Sequence, residues 1–126
     1  MESISTEKAP VPAGHYSQAV VEGNLIFVAS QLPIEPRFGI KRDATIEEQT
    51  KLAINNVKEV LIAAGSDLDH VLKTTVYVSD IKLWDRVNKI YSECFGVHRP
   101  ARSVVPTGEL HYGCMVEIEA VAVKKA

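Results

Sequence analysis

Cysteine is scarce in this chain of 126 residues, where only Cys94 and Cys114 occur and no C-x-x-C pair is formed. Two cysteines cannot build a zinc site between them, and no other feature suggests export, so we expect reduced thiols. The sequence also lacks an apolar run long enough to cross a bilayer. Residues 1–8 have neither the charged start nor the apolar run of a signal peptide. We therefore expect a soluble, cytoplasmic protein that does not bind a membrane.

An excess of charge of one sign is also lacking, because the formal net charge is only −2. The basic residues are scattered at positions 41–42, 99, 102 and 124–125 instead of forming one face. Binding to a phosphate backbone requires clustered Lys and Arg side chains. The composition therefore argues against nucleic acid as the main partner.

Common catalytic and metal-binding motifs are missing as well. The sequence contains no G-x-G-x-x-G, Walker, G-x-S-x-G or H-E-x-x-H pattern. Its four histidines, at positions 15, 70, 98 and 111, do not pair at the helical spacing of metal ligands. We therefore expect no metal site. Cys94 lies on an apolar helical stripe and is interpreted as a small hydrophobic residue.

The sequence does contain the signals of two helices. Thr45 and Glu48 match a capping box at the start of the first helix, and Gly65 is placed to end it. Asp80 is expected to cap a second helix that stops at Gly96. Apolar residues recur at helical spacing at Ile46, Ala53, Ile54, Val57, Leu61 and Ala64, and again at Trp84, Val87, Tyr91 and Cys94.

Several runs have the β-branched and aromatic composition that is typical of strands. They cover residues 18–21, 25–29, 71–78, 101–105 and about 115–123. The first two runs flank Gly23-Asn24 and predict a hairpin. The segment 1–13 has room for a short edge strand, and residues 33–43 read as a loop. The predicted order is β-β-α-β-α-β-β, an α+β layer of two helices on one mixed sheet in a single domain of residues 1–126.

The last strand alternates in a way that predicts what covers the sheet. Val116, Ile118, Ala120 and Ala122 share one face by the period of two and suit packing under the helices. The opposite face carries Met115, Glu117, Glu119, Val121 and Val123. Because a solvated face seldom holds so many apolar residues, we expect copies of the chain to cover it in a symmetric oligomer.

Two charged residues lie where a covered site could use them. Arg102 sits in a short strand after Pro100, and Glu117 sits on the covered face of the last strand. Each has an ordinary explanation, since Arg102 could be a surface residue or could form an ion pair with Glu117. By spacing alone, Glu119 is an equal alternative to Glu117. Perturbed charges at covered positions make functional candidates, not assignments.

From about residue 9 to residue 123, the sequence resembles the Rid (YjgF/YER057c/UK114) family. The similar blocks are residues 14–19 (GHYSQA), 28–33 (VASQLP), 73–80 (KTTVYVSD), 99–105 (RPARSVV) and 116–122 (VEIEAVA). Val87-Asn88 and Tyr91 match the family's V-N-x-x-Y pattern. Residues 100–103 are similar to its P-A-R-S signature, which identifies the branch that keeps the arginine.

The resemblance implies a chorismate-mutase-like fold and a homotrimer whose sheets form an inner barrel with ligand clefts between subunits. It implies hydrolysis of 2-aminoacrylate and its tautomer 2-iminopropanoate to a 2-keto acid and ammonia, without a cofactor. In that reaction Arg102 would hold the substrate carboxylate and Glu117 would position or activate water. The expected substrate-binding residues are Tyr16, Ser30, Asn88 and Val104.

The sequence departs from the family pattern at several of these positions. Val104 replaces a frequent cysteine, Ser30 replaces a usual glycine, and His15 replaces a common proline. Residues 108–113 (GELHYG) differ from the L-P-x-x loop of the branch, which bears on substrate preference. A non-catalytic trimer that senses small carboxylates with the same cleft is the alternative function. An RNA-directed activity is a third, against which the acidic balance argues.

Overall fold

Two helices pack on one face of a mixed sheet in the structure, a computed structural model that describes residues 1–41 and 43–126. Arg42, one of the scattered basic residues and part of the predicted loop, lies outside the described residues. The described strands are β1 (Glu2–Ile4), β2 (Ala19–Glu22), β3 (Leu25–Gln31), β4 (Val71–Val78), β5 (Ala101–Pro106) and β6 (Val116–Val123). The described α-helices are α1 (Ile46–Ala63) and α2 (Trp84–Phe95).

The strands are ordered β1-β2-β3-β6-β4-β5 across the sheet. Only the β4–β5 pair is parallel, and the other four pairs are antiparallel. The predicted hairpin is confirmed, with Gly23 at φ +60 in its turn. The edge strand expected in the first segment is also confirmed, and as β1 it adds one strand to the predicted order. The mixed α+β layer predicted from the sequence is therefore correct.

The start of α1 follows the predicted capping box. The Glu48 N–H donates to Thr45 Oγ1 at 3.1 Å, and the Thr45 N–H donates to the Glu48 carboxylate at 3.4 Å. These bonds satisfy backbone donors that the first turn of a helix leaves without an intrahelical partner. The helix ends at Ala63, two residues before Gly65, whose φ of +84 favours glycine.

The core lies between the helices and one face of the sheet. All six apolar residues predicted for the buried face of α1 are buried, and so are the four predicted for β6. Residues 117, 119, 121 and 123 alternate with the buried residues of β6 and are only half-buried. Burying one aliphatic side chain of this size stabilises the fold by about 1.5–3 kcal/mol, so the alternation alone determines which face of β6 meets the helices.

The start of α2 differs from the prediction. The Asp80 carboxylate accepts a hydrogen bond from the Lys82 N–H at 2.9 Å, but it caps a 3₁₀ turn at Ile81–Leu83. The α-helix itself begins at Trp84. A capping Asp accepts a hydrogen bond from the backbone turn that follows it, whether that turn is 3₁₀ or α. Here the 3₁₀ turn comes first and the α-helix starts after it. The predicted end is confirmed, because Gly96 has φ +65.

An apolar strip lies on the sheet face away from the helices. Leu25 and Phe27 of β3 pair with Val123 and Val121 of β6, and the two β3 side chains are 40% and 46% exposed. Covering of this face by copies of the chain stays a prediction. No helix among the described residues is both long and apolar enough to cross a bilayer.

Candidate active site

Arg102 lies on the edge strand β5, on the face that α2 covers. It sits opposite Thr74 of β4, and its Nη1 donates to the Asn88 side-chain oxygen at 2.9 Å. The guanidinium carbon lies 4.7 Å from the ring centre of Tyr91 and 5.6 Å from that of Trp84. Arg102 is half-buried, and among the described residues no carboxylate forms an ion pair with it. The structure therefore excludes the ion pair with Glu117 within one chain.

The Tyr91 ring that lies against Arg102 is held in place by a hydrogen bond to Thr74. Its hydroxyl lies 2.7 Å from Thr74 Oγ1, and both side chains are buried. Burial raises the pKa of Tyr91, so the phenol stays neutral at physiological pH. An aromatic ring beneath a guanidinium attracts it through the ring quadrupole. The arrangement orients the cation without neutralising its charge.

A cavity of about 470 Å³, which we call the arginine cavity, lies beside this group. Its lining includes Asn88, Tyr91, Phe95, His98, Arg99 and Arg102. Arginine carries five N–H donors in a planar fork, and Asn88 takes one of them. A carboxylate or another planar anion matches the geometry of that fork. Arg102 and Asn88, which the resemblance named separately as site residues, are hydrogen-bonded to each other, and the pair faces a space that can hold a small anion.

Glu117 lies in a second cavity of about 440 Å³, which we call the glutamate cavity. Its lining includes Tyr16, Ala29, Ser30, Leu32, His111, Tyr112 and Glu117. Burial raises the pKa of the Glu117 carboxyl above its ordinary value, His111 opposes the shift, and Glu119 adds to it. A carboxyl whose pKa moves toward neutrality can exchange a proton with a bound molecule.

Glu117 and Glu119 are no longer equivalent once the structure is known. The Glu119 carboxylate accepts a hydrogen bond from the Tyr77 hydroxyl, and this bond is the main cause of a raised Tyr77 pKa. Glu119 is thereby committed to a neighbouring strand, whereas Glu117 lines the glutamate cavity. The geometry therefore favours Glu117 over Glu119 as a candidate site residue.

Tyr16 and Ser30 reach the glutamate cavity from the first third of the chain. Tyr16 is 53% exposed, and its hydroxyl accepts a hydrogen bond from the Ala13 N–H at 3.3 Å. Ser30 lies where the β3–β6 register shifts between Val28 and Gln31. A register shift of this kind removes backbone groups from the regular ladder and makes them available to a ligand.

Val104 does not contribute to either cavity in a single chain. Its side chain shares a strand face with Arg102, as predicted, but it packs at the edge of the hydrophobic core. The predicted role of Val104 in substrate binding therefore stays a prediction.

The two halves of the predicted site lie on opposite faces of the sheet. Along β4, Arg102 is opposite Thr74 and Glu117 is opposite Tyr77. These β4 positions differ by an odd number, and side chains alternate between faces, so the two point in opposite directions. Asn88 lines the arginine cavity, whereas Tyr16 and Ser30 line the glutamate cavity. Within one chain, the predicted residues therefore form two separate half-sites.

Sequence reasoning missed some residues of these cavities. From the sequence, Trp84 is only part of an apolar stripe, and Tyr91 is part of that stripe and of the V-N-x-x-Y pattern. In the structure both rings also form the platform under Arg102. Their spacing of seven, which places both on one side of α2, was the available signal. His111 and Tyr112 line the glutamate cavity. Both belong to the segment 108–113 that departs from the family loop, but no sequence pattern indicates that they line a cavity with Glu117.

Comparison with known proteins decides the family. The family model described as Endoribonuclease L-PSP matches residues 6–124. This chain belongs to that family, the Rid/YjgF family. Both half-sites of the Rid/YjgF protein, and all of its described helices and strands except β1, lie within the matched residues.

Relatives of this Rid/YjgF protein carry two kinds of names. A RutC family protein of Pyrococcus abyssi is 47% identical over 98% of each chain. The human 2-iminobutanoate/2-iminopropanoate deaminase is 40% identical over 96% of this chain and 88% of its own length. The crystal structure of Escherichia coli TdcF with bound serine superposes with a TM-score of 0.93 at 33% identity, covering 99% of this chain and 100% of TdcF. Relatives named as deaminases support an enzymatic role.

Proposed function

We propose that this protein hydrolyses 2-imino acids, including 2-iminopropanoate and its tautomer 2-aminoacrylate, to 2-keto acids and ammonia. The observation that carries the proposal is Arg102, a half-buried cation whose hydrogen-bond partner is the neutral amide of Asn88. A buried or half-buried charge without a counterion is costly unless a ligand supplies the opposite charge. The deaminase name of the human relative supports the same reaction.

The substrate carboxylate would bind to the guanidinium of Arg102. A planar fork can donate two parallel hydrogen bonds to a carboxylate, which determines the orientation of the rest of the molecule. The ring of Tyr91 and the amide of Asn88 keep the fork in one position before the substrate arrives. The attached carbon–nitrogen double bond is thereby held at a defined distance from the cation.

Glu117 would act as the general base and acid of the reaction. Water adds to the carbon of the protonated imine while the Glu117 carboxylate accepts a proton from that water. The same proton then passes to the nitrogen. As the carbon–nitrogen bond breaks, the Glu117 carboxylate takes the hydroxyl proton of the intermediate, so ammonia leaves, the carbonyl forms, and Glu117 returns that proton to solvent. An imine is already electrophilic, so hydration needs neither a metal nor a covalent nucleophile. The raised pKa of Glu117 supports this exchange, because a general acid–base works best with a pKa near the working pH.

The two half-sites would be joined by assembly into a homotrimer. Arg102 and Glu117 cannot meet in one chain because they lie on opposite faces of the sheet. A head-to-tail ring places one surface of each copy against a different surface of the next, so it can bring the two cavities together. The apolar strip around Phe27 and Val121 supports burial of this sheet face between copies.

The free thiols of Cys94 and Cys114 support a reducing compartment such as the cytoplasm.

The test replaces Arg102 with Lys and keeps the positive charge. Lysine cannot donate two parallel bonds, and the loss of a charge-assisted contact of about 1.5–3 kcal/mol lowers kcat/KM roughly 10- to 100-fold. The measurement is the rate of pyruvate release from enzymatically generated 2-aminoacrylate. Arg86→Lys is the matched control, because Arg86 pairs with Glu47 on an exposed surface outside both cavities. An exposed pair contributes little, so the control should stay within about twofold of the wild type.

Equal turnover in the Arg102→Lys variant would refute the carboxylate role. Absence of any acceleration by the wild type, combined with binding of pyruvate, would favour the small-carboxylate sensor instead. A structure with pyruvate bound would add a direct check, since its carboxylate should contact Arg102.

A further inference from the structure

Tyr112 adopts a backbone conformation that its side chain disfavours. Its φ of +61 and ψ of +18 lie in the left-handed region, where the Cβ of an L-residue comes too close to the backbone. Among the described residues, six glycines also have a positive φ, and Tyr112 is the one residue with a side chain that does. At this position the chain therefore keeps a strained residue where glycine would fit without strain. Such strain is typical of functional sites when the surrounding structure supports it.

Two hydrogen bonds hold the turn that carries Tyr112, one across it and one directly after it. The Cys114 N–H donates to the His111 carbonyl at 3.1 Å, and the Met115 N–H donates to the Gln49 side chain at 2.8 Å. The Tyr112 ring lies against the His111 ring, with 5.5 Å between their centres. These contacts give the ring a defined position at the wall of the glutamate cavity.

The glutamate cavity is mostly apolar around its one carboxyl. Tyr16, Leu32 and Ala29 line it together with Tyr112, and the rings of Tyr16 and Tyr112 are each about half exposed. Its volume of about 440 Å³ falls in the usual range of small-molecule sites, roughly 300–1,000 Å³. Exposed aromatic rings beside a carboxyl are well suited to contact an apolar group of a ligand.

We propose that Tyr112 is a specificity-determining residue that selects 2-imino acids with large apolar or aromatic side chains. The inference rests on the proposed function. When the carboxylate is held by Arg102 and the reacting carbon lies near Glu117, the substituent on that carbon enters the cavity that Tyr112 lines. An aromatic substituent gains contact area against the Tyr112 ring, whereas a methyl group gains little.

The experiment compares two imines formed by an amino-acid oxidase, one from phenylalanine and one from alanine. The quantity measured is the selectivity ratio, defined as kcat/KM for the first imine divided by kcat/KM for the second. Tyr112→Gly removes the ring and also removes the backbone strain, so this variant should fold at least as well as the wild type. We expect the wild-type ratio to favour the aromatic imine and Tyr112→Gly to lower that ratio about tenfold.

Two controls separate the ring from other effects. Tyr112→Phe keeps the ring and should keep the ratio within about twofold of the wild type. Phe38→Gly removes a ring that is 86% exposed and lies outside the glutamate cavity, so the ratio should not change. The mass of each assembly is measured by light scattering.

The proposal is overturned if Tyr112→Gly leaves the ratio unchanged or lowers both rates equally. It is also overturned if the variant changes the mass of the assembly, because the ring would then be a subunit contact. If the wild type turns over neither imine, the proposed function fails by itself. Titration with phenylpyruvate and pyruvate then decides the inference, which requires a preference for phenylpyruvate that Tyr112→Gly reduces about tenfold.

Discussion

Mixing two inactive variants tests whether Arg102 and Glu117 act across a subunit boundary. One variant carries Arg102→Gln and the other carries Glu117→Gln, and both changes replace a charged side chain with an uncharged polar one. Neither homo-oligomer contains a complete site. If the half-sites join between chains, a mixed assembly contains contacts where the Glu117→Gln chain supplies Arg102 and the Arg102→Gln chain supplies Glu117. Such a contact is a complete site. If each site belongs to one chain, mixing restores nothing.

The size of the recovery follows from counting contacts. In a random 1:1 mixture, about half of the chains at each contact supply an intact Arg102 and about half supply an intact Glu117, so about one quarter of the contacts are complete. The expected activity is therefore about a quarter of the wild-type value, whatever the number of subunits in the ring. A second mixture combines the wild type with the double variant. It should retain about one quarter of the activity if sites are shared and about one half if they are not.

The assay co-expresses the two chains with different tags, isolates mixed assemblies on both tags in turn, and measures keto-acid release from 2-aminoacrylate. Purification on two tags enriches mixed rings, so the measured composition enters the calculation. Recovery no higher than the average of the two parent variants would refute the shared site, provided that mixed assemblies are present. Retention of about half of the activity in the second mixture would refute it independently.

Two further predictions concern the residues that support the half-sites. Burial raises the pKa of Glu117 above its ordinary 4.5, so the folded state binds this proton more tightly than the unfolded state does. The free energy of unfolding therefore falls as the pH rises from below 4.5 through the pKa of the folded state. Glu117→Gln should therefore be more stable than the wild type at pH 7, with a difference that disappears toward pH 4, while its turnover falls about 10²- to 10⁴-fold. Urea titrations at both pH values, at one protein concentration, check the sign, and a variant less stable at pH 7 would contradict it. Tyr91→Phe leaves the buried Thr74 Oγ1 without its hydrogen-bond partner and should lower the free energy of unfolding by about 1–3 kcal/mol. The double variant Thr74→Val/Tyr91→Phe removes both partners, so it should lose less stability than Tyr91→Phe alone. Equal losses in the single and double variants would show that the hydrogen bond is not the cause.

Elements whose signals are local in the chain were predictable. The capping box at Thr45 and the alternation of β6 each depend on residues within a few positions of one another. The predicted start of α2 at Asp80 was displaced by a 3₁₀ turn, since a capping side chain marks a turn without stating which kind follows. The resemblance supplied Arg102 and Glu117 as a pair, and the structure brings each into a cavity with predicted neighbours.

Other features depend on contacts between distant segments. Thr74 and Tyr91, which support the Arg102 guanidinium, are 17 residues apart, and the Tyr77–Glu119 bond that separates Glu119 from Glu117 spans 42 residues. The turn that holds Tyr112 in its left-handed conformation also depends on a distant segment, because the Met115 N–H directly after the turn donates to the side chain of Gln49, 66 residues away.

By itself, the sequence determined which side chains share a face within each element, because the periods of 3.6 and 2 are properties of a single segment. It thereby determined the buried side of β6 and of α1, and through its resemblance it determined the family. The tertiary structure alone decided that Arg102 and Glu117 point in opposite directions. That outcome depends on how β5 and β6 align with β4, and strand register is a relation between segments that neither strand carries alone.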